Sequence, residues 1–129
     1  MLQYHGVEIN EKAIILLREN YPKLKDNRHI NSGAVEDVIK NYSDEFFDCV
    51  FTMAVLMHIH PDSNWIFKEI ARITKKYILT VENEEATNVW RIFPRNYKII
   101  FENLGFKQIK EIKCEGTLKD YTFRLFKRK

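Results

Sequence analysis

Between Phe46 and Met57 the chain reads FFDCVFTMAVLM, an apolar run interrupted only by Asp48 and Thr52 and rich in β-branched and aromatic residues. Such a run suits a central strand buried on both faces, as a parallel sheet requires. The segments around it alternate in type. Gly6-Val7-Glu8-Ile9-Asn10 reads as a strand ending in polar residues. Asn10 can cap a helix whose apolar stripe is Ala13, Ile14, Leu16 and Leu17. Tyr21-Pro22 stops that helix, because the residue before proline is pushed out of helical geometry. A short strand follows around His29 to Ser32, Gly33 breaks the pattern, and Val35 to Tyr42 returns to helical spacing.

Beyond the apolar run, Pro61-Asp62-Ser63 opens a helix carrying Trp65, Ile66, Ile70 and Ile73. Lys76 to Glu82 is a second buried strand. Asn83 to Asn96 reads as a long loop, Tyr97 to Leu104 as a helix, and Gly105 as its stop. Phe106 to Lys113 and Tyr121 to Phe126 alternate apolar and polar residues, as an antiparallel pair would. This order predicts an α/β fold, mostly parallel with right-handed crossovers and an antiparallel C-terminal strand.

A length of 129 residues fits one domain, spanning 1–129. With 45% hydrophobic and 30% charged residues the chain is globular rather than disordered. A net charge of +3 is too mild to point to nucleic acid. Cys49 and Cys114 lie far apart in no metal-like spacing, and Cys49 reads as a buried small hydrophobe. The expected setting is therefore a reducing cytoplasm. No segment reaches the roughly 18 apolar residues of a membrane span, and no secretory leader is read at the N-terminus.

Three features carry chemistry. Glu8 leaves a strand at its C-terminal edge, where a carboxylate can accept hydrogen bonds from ribose hydroxyls; surface solvation is the other reading. His58 and His60 follow the apolar run. Their H-x-H spacing could offer two metal nitrogens, but no carboxylate or cysteine cluster supplies further ligands, so no metal is assigned. A base or substrate contact suits a side chain that titrates near neutrality, and a structural histidine is the alternative. The loop Asn88 to Tyr97 is aromatic and basic. Arg91, Arg95 and Tyr97 could hold a carboxylate or phosphate, or Trp90 and Phe93 could simply pack the loop.

From GVEIN at residue 6 through ENLGFKQI at residue 102 to the closing strand, the sequence resembles class I S-adenosylmethionine-dependent methyltransferases, the Rossmann-like family. The FD-x-V strand followed by VL-x-H is the form common among members acting on small molecules or sugars. The resemblance implies S-adenosylmethionine as cofactor, with Glu8 on its ribose beside Ile9 and Asn10. It places Gly33, Ala34 and Val35 against the adenine and Thr52, Met53 and Ala54 along the pocket. His58 would act on the substrate, with His60, Arg91, Arg95 and Tyr97 on the substrate face. The related sugar-pathway pattern has Arg-Asp-Tyr where this chain has Arg95-Asn96-Tyr97.

One part of the pattern is missing. The family begins with a strand, a G-x-G-x-G loop and a helix, and no such motif occurs here. The expected fold is therefore an N-terminally truncated methyltransferase sheet. In the family's sheet the absent strand lies between the second and fourth, so two facing edges would be left unpaired. Another chain could supply the strand, a homo-oligomer could fill the gap, or the two strands could pair directly. The functional expectation is methyl transfer to O or N of a small-molecule or sugar-like substrate. The alternatives are an inactive methyltransferase-like binding or assembly subunit, and a fragment of a longer methyltransferase.

Overall fold

The computed structural model describes residues 3–24, 30–87 and 89–129. The chain divides into two compact units, Met1–Tyr42 and Ser43–Lys129. His29 and Asn88, read above as parts of a strand and a loop, lie outside the described residues.

In the first unit, β1 (Gly6–Glu8) and β2 (Ile30–Ser32) pair in parallel, with Gly6 opposite Ile30 and Glu8 opposite Ser32. A Cβ at Gly6 would lie 3.1 Å from Ile30 Cδ1 and 3.3 Å from the Tyr4 ring, so the close approach favours glycine. α1 (Glu11–Asn20) starts where the sequence places it: Asn10 Oδ1 accepts the amides of Lys12 and Ala13 at 3.0 and 3.3 Å. Its apolar stripe is narrower than expected. Ile14 is buried, whereas Leu16 is exposed. The helix expected from Val35 to Tyr42 is a single turn, α2 (Val35–Val38), continued by a 3-10 turn at Ile39–Asn41 with Ile39 buried.

The second unit holds β3 (Phe47–Met53), α3 (Ile66–Ile73), β4 (Thr74–Asn83), α4 (Tyr97–Glu102), β5 (Phe106–Lys113) and β6 (Tyr121–Arg128). The sheet order is β3-β4-β6-β5. β3 runs parallel to β4, and β6 is antiparallel to both β4 and β5. Ile78, Thr80 and Glu82 of β4 lie opposite Phe126, Arg124 and Thr122 of β6, and all are buried on one face. That face meets the helices through Phe101, 5.3 Å from Phe126 and 6.1 Å from Phe67 of α3 between ring centroids. Each such fully buried ring stabilises the fold by about 1.5–3 kcal/mol.

The same sheet buries an ion pair. Arg124 meets Glu84 through Nε at 2.7 Å and Nη2 at 3.1 Å, and both side chains are 6% exposed. Its Nη1 also donates to Gln108 at 2.7 Å and to Glu111.

The apolar run departs from expectation. β3 is an edge strand of this sheet, not a central one, with β4 as its ladder partner. Phe51 and Met53 register with Leu79 and Val81, on the face away from Ile78, and are 57% and 52% exposed. Cys49 lies on that face too and is exposed rather than buried. Periodicity reports that both sides of a strand are apolar; it cannot report whether anything covers them. β1–β2 forms the sheet of the first unit and β3–β6 that of the second.

Replacing Arg124 by leucine leaves the Glu84 carboxylate buried without its partner. The expected loss of stability is about 3–5 kcal/mol by urea unfolding; a loss under about 1 kcal/mol would show that Glu84 reaches water.

Candidate functional site

In the first unit the parallel ladder brings Glu8 and the Gly33 turn together. Gly33 donates its amide to the Glu8 carbonyl at 2.9 Å, extending the β1–β2 pairing by one bond. Its φ of +147° is a conformation in which side chains are strained, and here glycine is required. Ala34 then caps α2 through its backbone, leading into Val35. The exposed Glu8 carboxylate is oriented by the Asn10 amide, 2.9 Å from Oε1. It borders a concavity of ≈ 150 Å³ walled by Ile14, Leu17 and Ile30. Asn10 spends its side chain on the helix cap, and Ile9 is 70% exposed beside Glu8.

In the second unit, β3 leads into a tight turn. Thr52 lies opposite Thr80, and neither buried hydroxyl has a partner among the described residues. Met53 points to the other face. Ala54 takes φ +54°, unusual for a residue with a side chain, while its amide still bonds Val81 O at 3.0 Å. A 3-10 turn at Leu56–His58 follows. Its first amides end on Glu82, a residue the sequence reading did not single out. Glu82 is completely buried, and it accepts Val55, Leu56 and Met57 N–H at 3.1 to 3.3 Å. The available signal was a lone acid closing the apolar strand KYILTVE.

His58 is exposed at the end of this turn, and its Nδ1 lies 2.8 Å from the Arg91 carbonyl. A carbonyl only accepts, so in the neutral ring Nδ1 carries the proton and Nε2 presents its lone pair. His60 is arranged differently. Its Nδ1 accepts the Asp62 amide at 3.1 Å, and its ring meets Phe93 edge-on at 5.3 Å. Among the described residues no group of three or more His, Cys, Asp or Glu side chains could hold a metal.

The loop residues separate into two sets. Trp90 does not pack the loop: it is 80% exposed, and the Arg91 guanidinium stacks on it at 4.0 Å. Arg95, expected on the substrate face, instead binds Leu56 O at 2.9 Å, Ile59 O at 2.6 Å and Asn64 Oδ1 at 2.8 Å. Tyr97, expected there too, has no exposure at all and packs 6.1 Å from Phe67. Both serve the framework, on either side of Asn96, whose Oδ1 takes the Ile99 amide and caps α4.

The first unit thus holds a strand-end acid beside a glycine turn, and the second a histidine at the exit of a parallel strand. The family model described as methyltransferase domain matches residues 1–77, and the chain belongs to that family, the class I S-adenosylmethionine-dependent methyltransferases. The family uses S-adenosylmethionine as methyl donor. No curated protein matches the sequence. The PH0226 protein from Pyrococcus horikoshii OT3 is 17% identical, with a TM-score of 0.73 over 99% of this chain and 72% of its own. Magnesium protoporphyrin IX methyltransferase from Synechocystis PCC 6803, solved with bound SAH, is 10% identical, with a TM-score of 0.75 over 97% of this chain. The [4+2]-cyclase SpnF is 13% identical, with a TM-score of 0.68 over 98% of this chain and 66% of its own. This chain spans 64% of the Synechocystis enzyme's length.

Tyr97 makes a pH prediction. Burial first, then the nearby Glu82, push its phenol well above its ordinary value, against a smaller pull from Arg95. The unfolded chain releases this proton near pH 10 and the folded one only at higher pH, so stability falls as pH rises above about 10. Tyr97→Phe should remove that slope and leave neutral stability within about 1 kcal/mol, since no described residue meets the hydroxyl at hydrogen-bonding geometry. Urea unfolding at neutral and alkaline pH reads both; an unchanged alkaline slope refutes it.

Proposed function

We propose that this chain transfers a methyl group from S-adenosylmethionine to an oxygen or nitrogen of a small-molecule or sugar-like substrate, with a second copy or another chain completing its cofactor site. The observation that carries the reading is His58: exposed, with Nδ1 held at the Arg91 carbonyl, it offers Nε2 to a substrate proton.

The first unit's residues fit the ribose and adenine of the cofactor. Glu8 is an exposed, oriented carboxylate suited to hydroxyl donors. The Gly33–Val35 turn is open, with Val38 Cγ2 at 3.6 Å the nearest atom to a Cβ at Gly33. Ile9 adds an exposed apolar side chain beside Glu8. When bound, the cofactor supplies an electrophilic methyl group, so the protein's task is alignment and proton removal. His58 takes the proton at Nε2 and hands it to solvent. Arg91, stacked on Trp90, offers a cation to an anionic group of the substrate. His60 lies close in sequence as a further polar contact.

The need for a completing chain rests on β3. β3 stands at one end of its sheet order and carries Asp48 as its one charge, whereas the opposite edge strand carries Lys107, Lys110, Glu111 and Lys113. Charged edges resist pairing; apolar ones invite it. Cys49 and Cys114 are free thiols, which fits work in the cytoplasm. No helix among the described residues is long and apolar enough to cross a membrane. A second reading, a methyltransferase-like subunit without this activity, is favoured by one observation: SpnF shares the fold and is a [4+2]-cyclase.

Isothermal calorimetry with S-adenosylmethionine should show binding that Glu8→Ala weakens roughly 10- to 100-fold, the worth of a charged hydrogen bond. A folded sample that binds nothing at any state of assembly would exclude the methyltransferase reading. His58→Ala should lower kcat by about 10²- to 10⁴-fold with cofactor affinity unchanged. Sedimentation should show association that Phe51→Lys on β3 abolishes.

A further inference from the structure

We infer that Glu82 is the positioning residue that sets the proton-accepting form of His58, an inference that rests on the reading of His58 as the base. Oε1 of Glu82 receives the amides of Val55 and Leu56, each at 3.1 Å, and Oε2 receives those of Val55 at 3.1 Å and Met57 at 3.3 Å. These are the amides that open the 3-10 turn and have no partner inside it. At the other end of the turn, Arg95 binds the carbonyls of Leu56 and Ile59. An anion thus sits at the amide end and a cation at the carbonyl end, matching the dipole of the turn.

The hold matters because both segments that meet at His58 are held in unfavourable backbone geometry. Ala54 enters the turn at φ +54°, and Arg91, whose carbonyl faces the imidazole, sits at φ +65°. Neither is glycine, so each position persists only where its surroundings fix it. The His58 amide bonds Val55 O at 3.1 Å, and the Phe93 amide bonds Met57 O at 2.8 Å, tying the loop to the turn. The distance from Nδ1 to Arg91 O is therefore set by the register of the Val55–Met57 backbone, and Glu82 sets that register. Glutamine at this position would bring an N–H₂ donor against amides that are themselves donors. The turn would shift, the imidazole would leave the Arg91 carbonyl, and the proton would be free to occupy Nε2, where it blocks the base.

The test reads the imidazole directly and needs neither cofactor nor substrate. Long-range ¹H–¹⁵N correlation at alkaline pH, with the ring neutral, should show the Nδ1–H tautomer in the wild-type chain. Glu82→Gln should shift the tautomer ratio toward Nε2–H by roughly fivefold or more, the worth of one neutral hydrogen bond. Should Glu82→Gln not fold, Glu82→Asp, which keeps the charge but shortens the reach, is read in the same way. A wild-type His58 in the Nε2–H form, or a folded variant at position 82 with an unchanged ratio, overturns the inference. A variant that loses stability while His58 keeps its tautomer overturns it as well, because Glu82 is then structural alone. If the tautomer shifts as expected but the wild-type chain transfers no methyl group, the positioning stands and the methyltransferase reading falls.

Discussion

A carboxylate shut away from water must be met by donors, and in the second unit Glu82 has found them in the backbone of a neighbouring turn rather than in a side chain of opposite charge. Much follows from that choice. β4 carries Glu82 at the end where β3 hands the chain on, so the ladder between the two strands delivers the Val55–Met57 amides to it. A buried cation at this place would have neutralised the charge but left those amides without partners, a cost that buried N–H groups rarely bear. The carboxylate answers both demands and leaves Arg95 to satisfy the carbonyls at the other end of the turn.

Polar burial elsewhere in this sheet follows the same rule by another route. Arg124 lies opposite Thr80 on the helix-covered face, and its planar fork meets Glu84 with two bonds while Nη1 reaches Gln108 and Glu111. Such a cluster adds little net stability over well-packed apolar residues, yet losing one member is costly, so it constrains which arrangement of β5 and β6 is tolerated. Thr52, Thr80 and Tyr97 are the exceptions, with buried hydroxyls that no described residue meets.

The two edges of the four-stranded sheet show how far local sequence carries. The antiparallel closing pair was legible because alternation repeats over eight residues, and β5 runs from Phe106 to Lys113 as read. The cap at Asn10, the glycine stop at Gly105 and the buried strand KYILTVE were legible for the same reason: each is fixed by residues within a few positions. β3 was misplaced because its apolar character states what the strand needs, not what lies beside it. Among the candidate site residues, Glu8 at a strand end and Gly33 at a break in the pattern were legible, while the hydrogen bond between their backbones came from the structure. Arg95 and Tyr97 did not, since an aromatic and basic loop reads the same whether its side chains face a ligand or the protein.

The sequence by itself determined the alternating α/β order, the strand-end acid, the glycine turn and the family, because these depend on short-range pattern and residue type. Only the tertiary structure decided that β3 stands at an edge, that Trp90 faces outward while Tyr97 is enclosed, and that Glu82 holds the turn bearing His58. Those outcomes depend on which distant backbone groups become neighbours when the sheet forms. A carboxylate 24 positions after His58 in the chain carries no mark of the amides it will meet. Its role exists only once β3 and β4 are side by side.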